Sequence, residues 1–347
     1  MIDNNCSVFI IAEMAWAHDG SLRKAKKIIK GAADAGADAI SLHITNMEDY
    51  MVKDYGLTVC QFVKRDRKKI SMYEYLEKIN LRDNEWKELF TYTKGLGLTI
   101  CAMPNDFKSL TLCKKLKPDI YVLAAACFIE EDFIKKVAGE KRPLMLRIGG
   151  ATISEIKKVI SLIKKQRVKE IILLHGIQTY PTKIEDTNLN LIPFFKRTFN
   201  LPVGLADHID AELEMAQIVP LMAVAKGARV IEKHLTHNRA LKGVDYIAAL
   251  NPDEFKELVE NIREVEKALG ISKISGLSRA ELKYRKVVRK RIVAAEDIKK
   301  DEKITKNKII FKRANEGIYP DELKKIINRV AKIDIKKDEP ILKNKLK

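Results

Sequence analysis

A (β/α)8 barrel followed by a small β-rich unit is the fold that this 347-residue chain predicts. Three observations carry it. Short apolar runs alternate with helical patterns eight times, over a span that suits such a barrel. Residues able to do chemistry fall at or just past the C-terminal ends of those runs: Glu13, His43, Arg147, His175, Asp207, His208 and His234. A barrel gathers such positions into one mouth, where the active sites of the fold sit. No GxGxxG loop follows the first run, which weakens the rival reading of a doubly wound open sheet.

The first strand is VFIIAE (8–13), apolar, partly branched and ended by a glutamate. Ser21 is placed to cap a helix carrying Leu22, Ala25, Ile28, Ile29, Ala32 and Ala33 at helical spacing, and Gly36 stops it. DAISLHI (38–44) is the second strand. One βαβ unit is then complete by residue 44, which favours a parallel sheet. Residues 45–80 read as a polar insertion, and Asp83 or Asn84 caps a helix running to Gly95. LTICAM (98–103) is the third strand, after which Asn105 or Asp106 opens a helix toward Leu116. DIYVLAA (119–125) is the fourth, with a helix near 130–138. PLMLRI (143–148) is the fifth, and Thr152 or Ser154 caps a helix to Lys165. EIILLH (170–175), PVGLA (202–206) and RVIEKH (229–234) complete the set, with helices around 189–198, 211–225 and 252–268.

A hydrophobic content of 46% beside 32% charged residues fits a soluble globular protein. No apolar run approaches membrane-span length. VFIIAEMAWA (8–17) follows no basic segment and is broken by Glu13, so it is not read as a signal peptide. The five cysteines (6, 60, 101, 113, 127) show no CxxC spacing and are odd in number, as expected of reduced thiols in a cytoplasmic enzyme. A net charge of +18 would suit nucleic acid, an anionic surface or an anionic substrate. The basic runs KRDRKK (64–69) and RKVVRKR (285–291) lack interleaved aromatics, and no zinc-finger or RNA-recognition signature accompanies them. Nucleic-acid binding is therefore not expected.

The sharpest chemical pattern lies between Pro202 and Asp245. Two β-like runs each deliver a histidine at the C-terminal end, His208 and His234, with Asp207 before one and Glu232 near the other. Two imidazoles from neighbouring strands, beside carboxylates, suit a divalent metal with open positions. One histidine in such a place is more often a polar filler near a loop. Two at equivalent strand ends favour the metal.

Beyond the barrel, assigned to 1–272, the chain changes character. Residues 273–290 are polar and read as a linker, and 291–347 as a separate small domain. That domain carries an internal repeat: AEDIKKDEKITKNKI (295–309) and KIDIKKDEPILKNKL (332–346) share DIKKDE and then KN-K at a constant offset. Duplicated short β units of this kind pack pseudo-symmetrically. KRANEGIYP (312–320) reads as a loop, and PDELKKIIN (320–328) as a helix with Pro in its first turn.

Particular motifs tie these elements to a known family. IIAEMAWAHDGSLRKAK (10–26), AGADAISLH (35–43), LLHGIQTYPTKIEDTNLN (173–190), VGLADH (203–208), GARVIEKHLT (227–236) and GVDYIAALNPDEF (243–255) resemble the sialic acid synthase family. IVAAEDIKKDEKIT (292–305) and FKRANEG (311–317) resemble its antifreeze-like, or SAF, domain. The resemblance implies a synthase that makes nonulosonic acids from phosphoenolpyruvate and an N-acetylated hexosamine. It implies a domain-swapped homodimer and a divalent metal, manganese or else magnesium, on His208 and His234. Glu13 matches the family's strand-1 glutamate. Tyr180 and Asp245 match sugar contacts, Gln178 stands where the family has asparagine, and Arg313 matches the cap's sugar-binding arginine.

The departures cluster at the phosphoenolpyruvate end. The family's strand-2 lysine is Ser41 here and its strand-4 lysine is Val122. The serine and glutamate beyond become Ala125 and Cys127. The strand-3 threonine becomes Met103, and the serines of strands 5 and 7 become Arg147 and Ala206. Charge-assisted hydrogen bonds contribute roughly 1.5–3 kcal/mol each, so two lost lysines imply a loss of about two to four orders of magnitude in phosphoenolpyruvate affinity. Arg147 and His43 are placed to bind a substrate acid or to exchange protons. Two other readings stay open: a metal-dependent aldolase, lyase or isomerase on a related sugar acid, and a catalytically silent sugar-binding paralogue.

Overall fold

Eight strands pair in parallel in chain order, and the eighth closes onto the first. They are β1 (Phe9–Glu13), β2 (Ala39–Ile44), β3 (Thr99–Pro104), β4 (Ile120–Ala124), β5 (Leu144–Arg147), β6 (Ile171–His175), β7 (Val203–Asp207) and β8 (Val230–His234). Each of the eight expected strands forms. The computed structural model describes residues 7–54, 56, 70–270 and 276–347. The chain divides into two units, Met1–Gly270 and Ile271–Lys347. Cys6, Cys60 and the KRDRKK run lie outside the described residues.

The barrel's helices are α1 (Leu22–Asp34), α2 (Met47–Tyr50), α3 (Met72–Ile79), α4 (Asp83–Gly95), α5 (Phe107–Leu116), α6 (Glu131–Ala138), α7 (Ile153–Lys165), α8 (Leu191–Phe199), α9 (Met215–Ala225) and α10 (Pro252–Leu269). Caps set most of their starts. The Ser21 hydroxyl accepts from Lys24 N at 3.4 Å, and the Asp106 carboxylate from Ser109 N at 2.7 Å. Thr152 and Glu155 form a reciprocal capping box. The α4 cap departs from expectation. Asp83 is already helical, so Arg82 is the cap residue, with its N–H donating to Glu85 at 2.9 Å. The 45–80 passage is not wholly irregular, since it contains α2 and α3.

Strand alternation separates two apolar layers. One phase, including Ile10, Ile40, Ile100, Leu123, Leu146 and Ile231, packs outward against the helices. The other, including Ile11, Cys101, Val122, Met145, Leu174 and Val230, fills the barrel interior. Each such aliphatic side chain contributes roughly 1.5–3 kcal/mol on burial, so the interior is a packed plug and not a pore. Polar groups of that phase are left to the C-terminal mouth.

In the second unit, the passage expected to be a linker contains α11 (Arg279–Val288), started by a Ser278–Glu281 capping box. β9 (Lys290–Ala294) and β10 (Ile309–Arg313) pair antiparallel. The repeat is visible as reciprocal bonds. Ile298 and Ile335 exchange N–H···O bonds of 2.8 Å. Lys300 N donates to Asp334 and Lys337 N to Asp297, both at 2.8 Å. Lys308–Glu302 and Lys345–Glu339 are equivalent ion pairs. Pro320–Lys325 is a short 3-10 turn and not the expected α-helix. No helix among the described residues is long and apolar enough to cross a membrane.

Candidate active site

Period two decides which polar side chains enter the barrel. Glu13 stands two residues beyond the interior-facing Ile11, and Ser41 pairs with it in register on β2. His43, Arg147, Glu232 and His234 continue the same phase on β2, β5 and β8, and His208 follows interior Ala206. Arg147, 2% exposed, is the hub. Its guanidinium is ion-paired with Glu13, lies 2.9 Å from Glu232 Oε2 and 3.3 Å from His43 Nε2. His43 Nε2 is 3.1 Å from Glu13 Oε1, which also accepts the Ala15 N–H at 3.1 Å. Four strands thus meet through one planar donor fork, a geometry that lysine could not supply. Burial lowers the His43 pKa below the usual histidine range, with Asp245 and Glu232 pulling against it.

The two strand-end histidines lie together beside this hub. Their ring centroids are 5.1 Å apart, and Tyr180 stands edge-on to both, 4.9 Å from His208 and 5.5 Å from His234. The Tyr180 hydroxyl is 3.1 Å from His234 Nε2. Burial first, then the nearby Arg147 charge, lowers His208 to about 3. Burial and then His208 hold His234 well below the usual range. Both rings are therefore neutral, the form that ligates metals. Nδ1 of each is buried without a hydrogen-bond partner. This donor set fits a divalent ion held by two imidazoles. Among the described residues no group of three or more His, Cys, Asp or Glu is arranged to hold a metal. Such an ion would complete its shell with water or substrate oxygen.

Asp207 and His175 do not enter the mouth, contrary to the sequence expectation. Neighbours on a strand face opposite ways, so Asp207 points outward when His208 points inward. Asp207 Oδ2 instead lies 2.5 Å from Lys233 Nζ, and Oδ1 accepts the Ile209 N–H at 3.1 Å. His175 turns toward α8, donating from Nε2 to Thr187 O at 2.9 Å and packing on Phe195. Glu232, which the sequence places only near His234, enters the mouth by the same alternation and pairs with Arg147.

Asp245 is half-buried in a left-handed conformation (φ 66°), and burial raises its pKa while His43 opposes the shift. Tyr180 is 37% exposed, and Gln178 is exposed on the same loop. Arg313 is exposed at the end of β10 in the second unit. The loop leaving β6 packs closely on the end of β7. At Gly176 (φ +141°) a Cβ would overlap the Ala206 carbonyl oxygen. The remaining interior wall is apolar: Met103, Val122, Ala124 and Ala206, with the Ser41 hydroxyl buried and unpartnered among the polar atoms. Ala125 and Cys127 belong to a 3-10 turn after β4, and Cys127 packs in the outer core.

A closed parallel barrel with neutral imidazoles, carboxylates and a guanidinium at the C-terminal ends of its strands defines an enzyme of the (β/α)8 class. Its family follows from comparison. Residues 28–273 match the NeuB family and 289–347 match the SAF domain. The chain belongs to the NeuB family, that of the sialic acid synthases, and carries the SAF domain at its C-terminus. It is 35% identical over 327 residues to an uncharacterized protein of Methanocaldococcus jannaschii, covering 93% of this chain and 90% of that one. It is 33% identical over 333 residues to the pseudaminic acid synthase of Campylobacter jejuni, covering 93% and 92%. The crystal structure of N-acetylneuraminic acid synthetase from Leptospira borgpetersenii, in complex with citrate, superposes with a TM-score of 0.69 at 30% identity, over 82% of this chain and 93% of that one.

Proposed function

We propose that this protein is a nonulosonic-acid-type synthase. It joins a three-carbon donor to the aldehyde of an N-acetylhexosamine-type sugar, in the cytoplasm, as a step in surface-polysaccharide sugar biosynthesis. The observation that carries this reading is the pair of neutral, buried imidazoles at adjacent strand ends beneath Tyr180, in a chain of this family. His208 and His234 would hold a divalent ion, manganese by family resemblance, which supplies Lewis-acid polarisation of an aldehyde oxygen when bound. Tyr180 would fix the sugar above the two rings. Glu13, held by Arg147 and the Ala15 amide, would keep a proton or a water in place. Asp245 and Gln178 would take sugar hydroxyls. Glu232 anchors Arg147 and so sets the orientation of the hub.

The test is metal content and condensation in the same samples. His208→Ala and His234→Ala should each abolish manganese binding and product formation while the circular dichroism spectrum stays that of the parent. Undiminished manganese in both purified variants would rule this site out. The assembly is proposed to be a domain-swapped homodimer, in which Arg313 of one copy serves the sugar site of the other. Sedimentation should report a dimer, and Arg313→Ala should raise the sugar KM about tenfold or more without changing the dimer, since a charged hydrogen bond contributes about 1.5–3 kcal/mol. A monomer with full activity would refute it.

A further inference from the structure

The charge inventory of the barrel narrows the donor, given the synthase reading. Along all eight strands the interior-facing positions carry one cation, Arg147, against two carboxylates, Glu13 and Glu232. Arg147 is already engaged by both. The rest of the wall near the mouth presents Met103, Val122, Ala124 and Ala206, with the hydroxyl of Ser41, a residue paired in register with Glu13. A phosphate ester needs converging donors and positive charge. Arg147, shared between two carboxylates, has few N–H groups left for a phosphate, and a metal ion on His208 and His234 would add charge but no hydrogen-bond donors. A 2-oxo acid brings one carboxylate, which a guanidinium fork can accept by exchange, and a methyl group that suits the apolar wall.

We propose that the three-carbon donor of this barrel is an unphosphorylated 2-oxo acid, and that His43 is the base that makes it nucleophilic. A phosphoenol ester already contains its C=C bond, whereas a 2-oxo acid must first lose a methyl proton. His43 faces the interior, with Nε2 3.1 Å from Glu13 Oε1 and 3.3 Å from Arg147 Nη1. The imidazole is therefore next to a carboxylate that stabilises its protonated form and next to the guanidinium that would receive the substrate acid. The imidazole takes a proton from C3. The C–H electron pair becomes the C2=C3 bond, and the ketone π pair moves to oxygen. The C2=C3 pair then forms the new bond to the aldehyde carbon, the ketone re-forms, and the aldehyde π pair moves to its own oxygen. That oxygen takes the proton back from His43. No phosphate is released and no water is consumed, and the product is a 4-hydroxy-2-oxo acid.

The experiment uses the full chain with manganese in deuterium oxide, pyruvate as donor probe and phosphoenolpyruvate as competitor. Methyl deuterium exchange in pyruvate should exceed that of manganese buffer alone, and phosphoenolpyruvate with N-acetylated hexosamines should release no phosphate. His43→Gln should lower exchange about 100-fold or more, the usual contribution of a general base, with the melting temperature and the thermal shift caused by pyruvate unchanged. Phosphate release from phosphoenolpyruvate without pyruvate exchange overturns the donor assignment. Undiminished exchange in His43→Gln overturns the role of His43. Absence of pyruvate binding and exchange up to millimolar concentrations overturns both. Exchange without a carbon–carbon product from any hexosamine supports the donor and counts against the synthase reading, so the two fail separately.

Discussion

Arg147→Ala is expected to lower the free energy of unfolding by about 3–5 kcal/mol, read from urea midpoints. The side chain is 2% exposed, and both carboxylates it joins are buried, Glu13 at 0% and Glu232 at 2%. The cost does not measure a strong attraction, because buried ion pairs roughly balance their own desolvation. It measures what is left behind, two carboxylates without a counter-charge inside a packed barrel. Arg147→Met combined with Glu13→Gln and Glu232→Gln should therefore recover much of the stability while remaining inactive. Arg147→Lys should fall between, since one ammonium cannot span Glu13, Glu232 and His43 as a fork does. A loss below about 1 kcal/mol for Arg147→Ala, the range of an exposed pair, would show that water already solvates these carboxylates.

The barrel was legible because its signals are local. Ser21, Asp106 and Thr152 announce helix starts, and each apolar run is the right length for a barrel strand. The mouth was legible in outline for the same reason: a polar residue ending an apolar run is at a strand end. What strand ends alone do not give is the face. Asp207 and His208 are adjacent, so only one of them can enter. Anchoring the period on Ala206 and His208, as on Val230, Glu232 and His234, would have excluded Asp207 and admitted Glu232. The Arg147 hub was beyond local reading, because it needs β5 to face β1 and β8 across a closed barrel. Pro320–Lys325 shows the converse limit. A proline followed by charged residues starts a helix well enough, but this segment has no buried face among its own residues to extend it.

Lys233→Ala should be the second severe variant, again at about 3–5 kcal/mol, because it strands Asp207 in the layer between the barrel and its helices. Lys233 is 0% exposed and Asp207 3%. The ammonium also donates to Ile209 O at 3.4 Å, so this one pair ties the end of β8 to the turn that follows β7. Those are the two segments that carry His234 and His208. Lys233→Met with Asp207→Leu replaces the ions with apolar groups of similar size and should restore stability to near the parent. It should not restore the histidine geometry, because the Ile209 N–H then loses its carboxylate acceptor and the strand ends lose their tie. Manganese affinity is therefore expected to fall about 10–100-fold in the double variant, the range seen when outer-shell partners of metal-binding histidines are removed. A double-mutant cycle run on unfolding and on metal titration separates the two effects. Restored stability with parental manganese affinity would show that Asp207 and Lys233 serve packing alone.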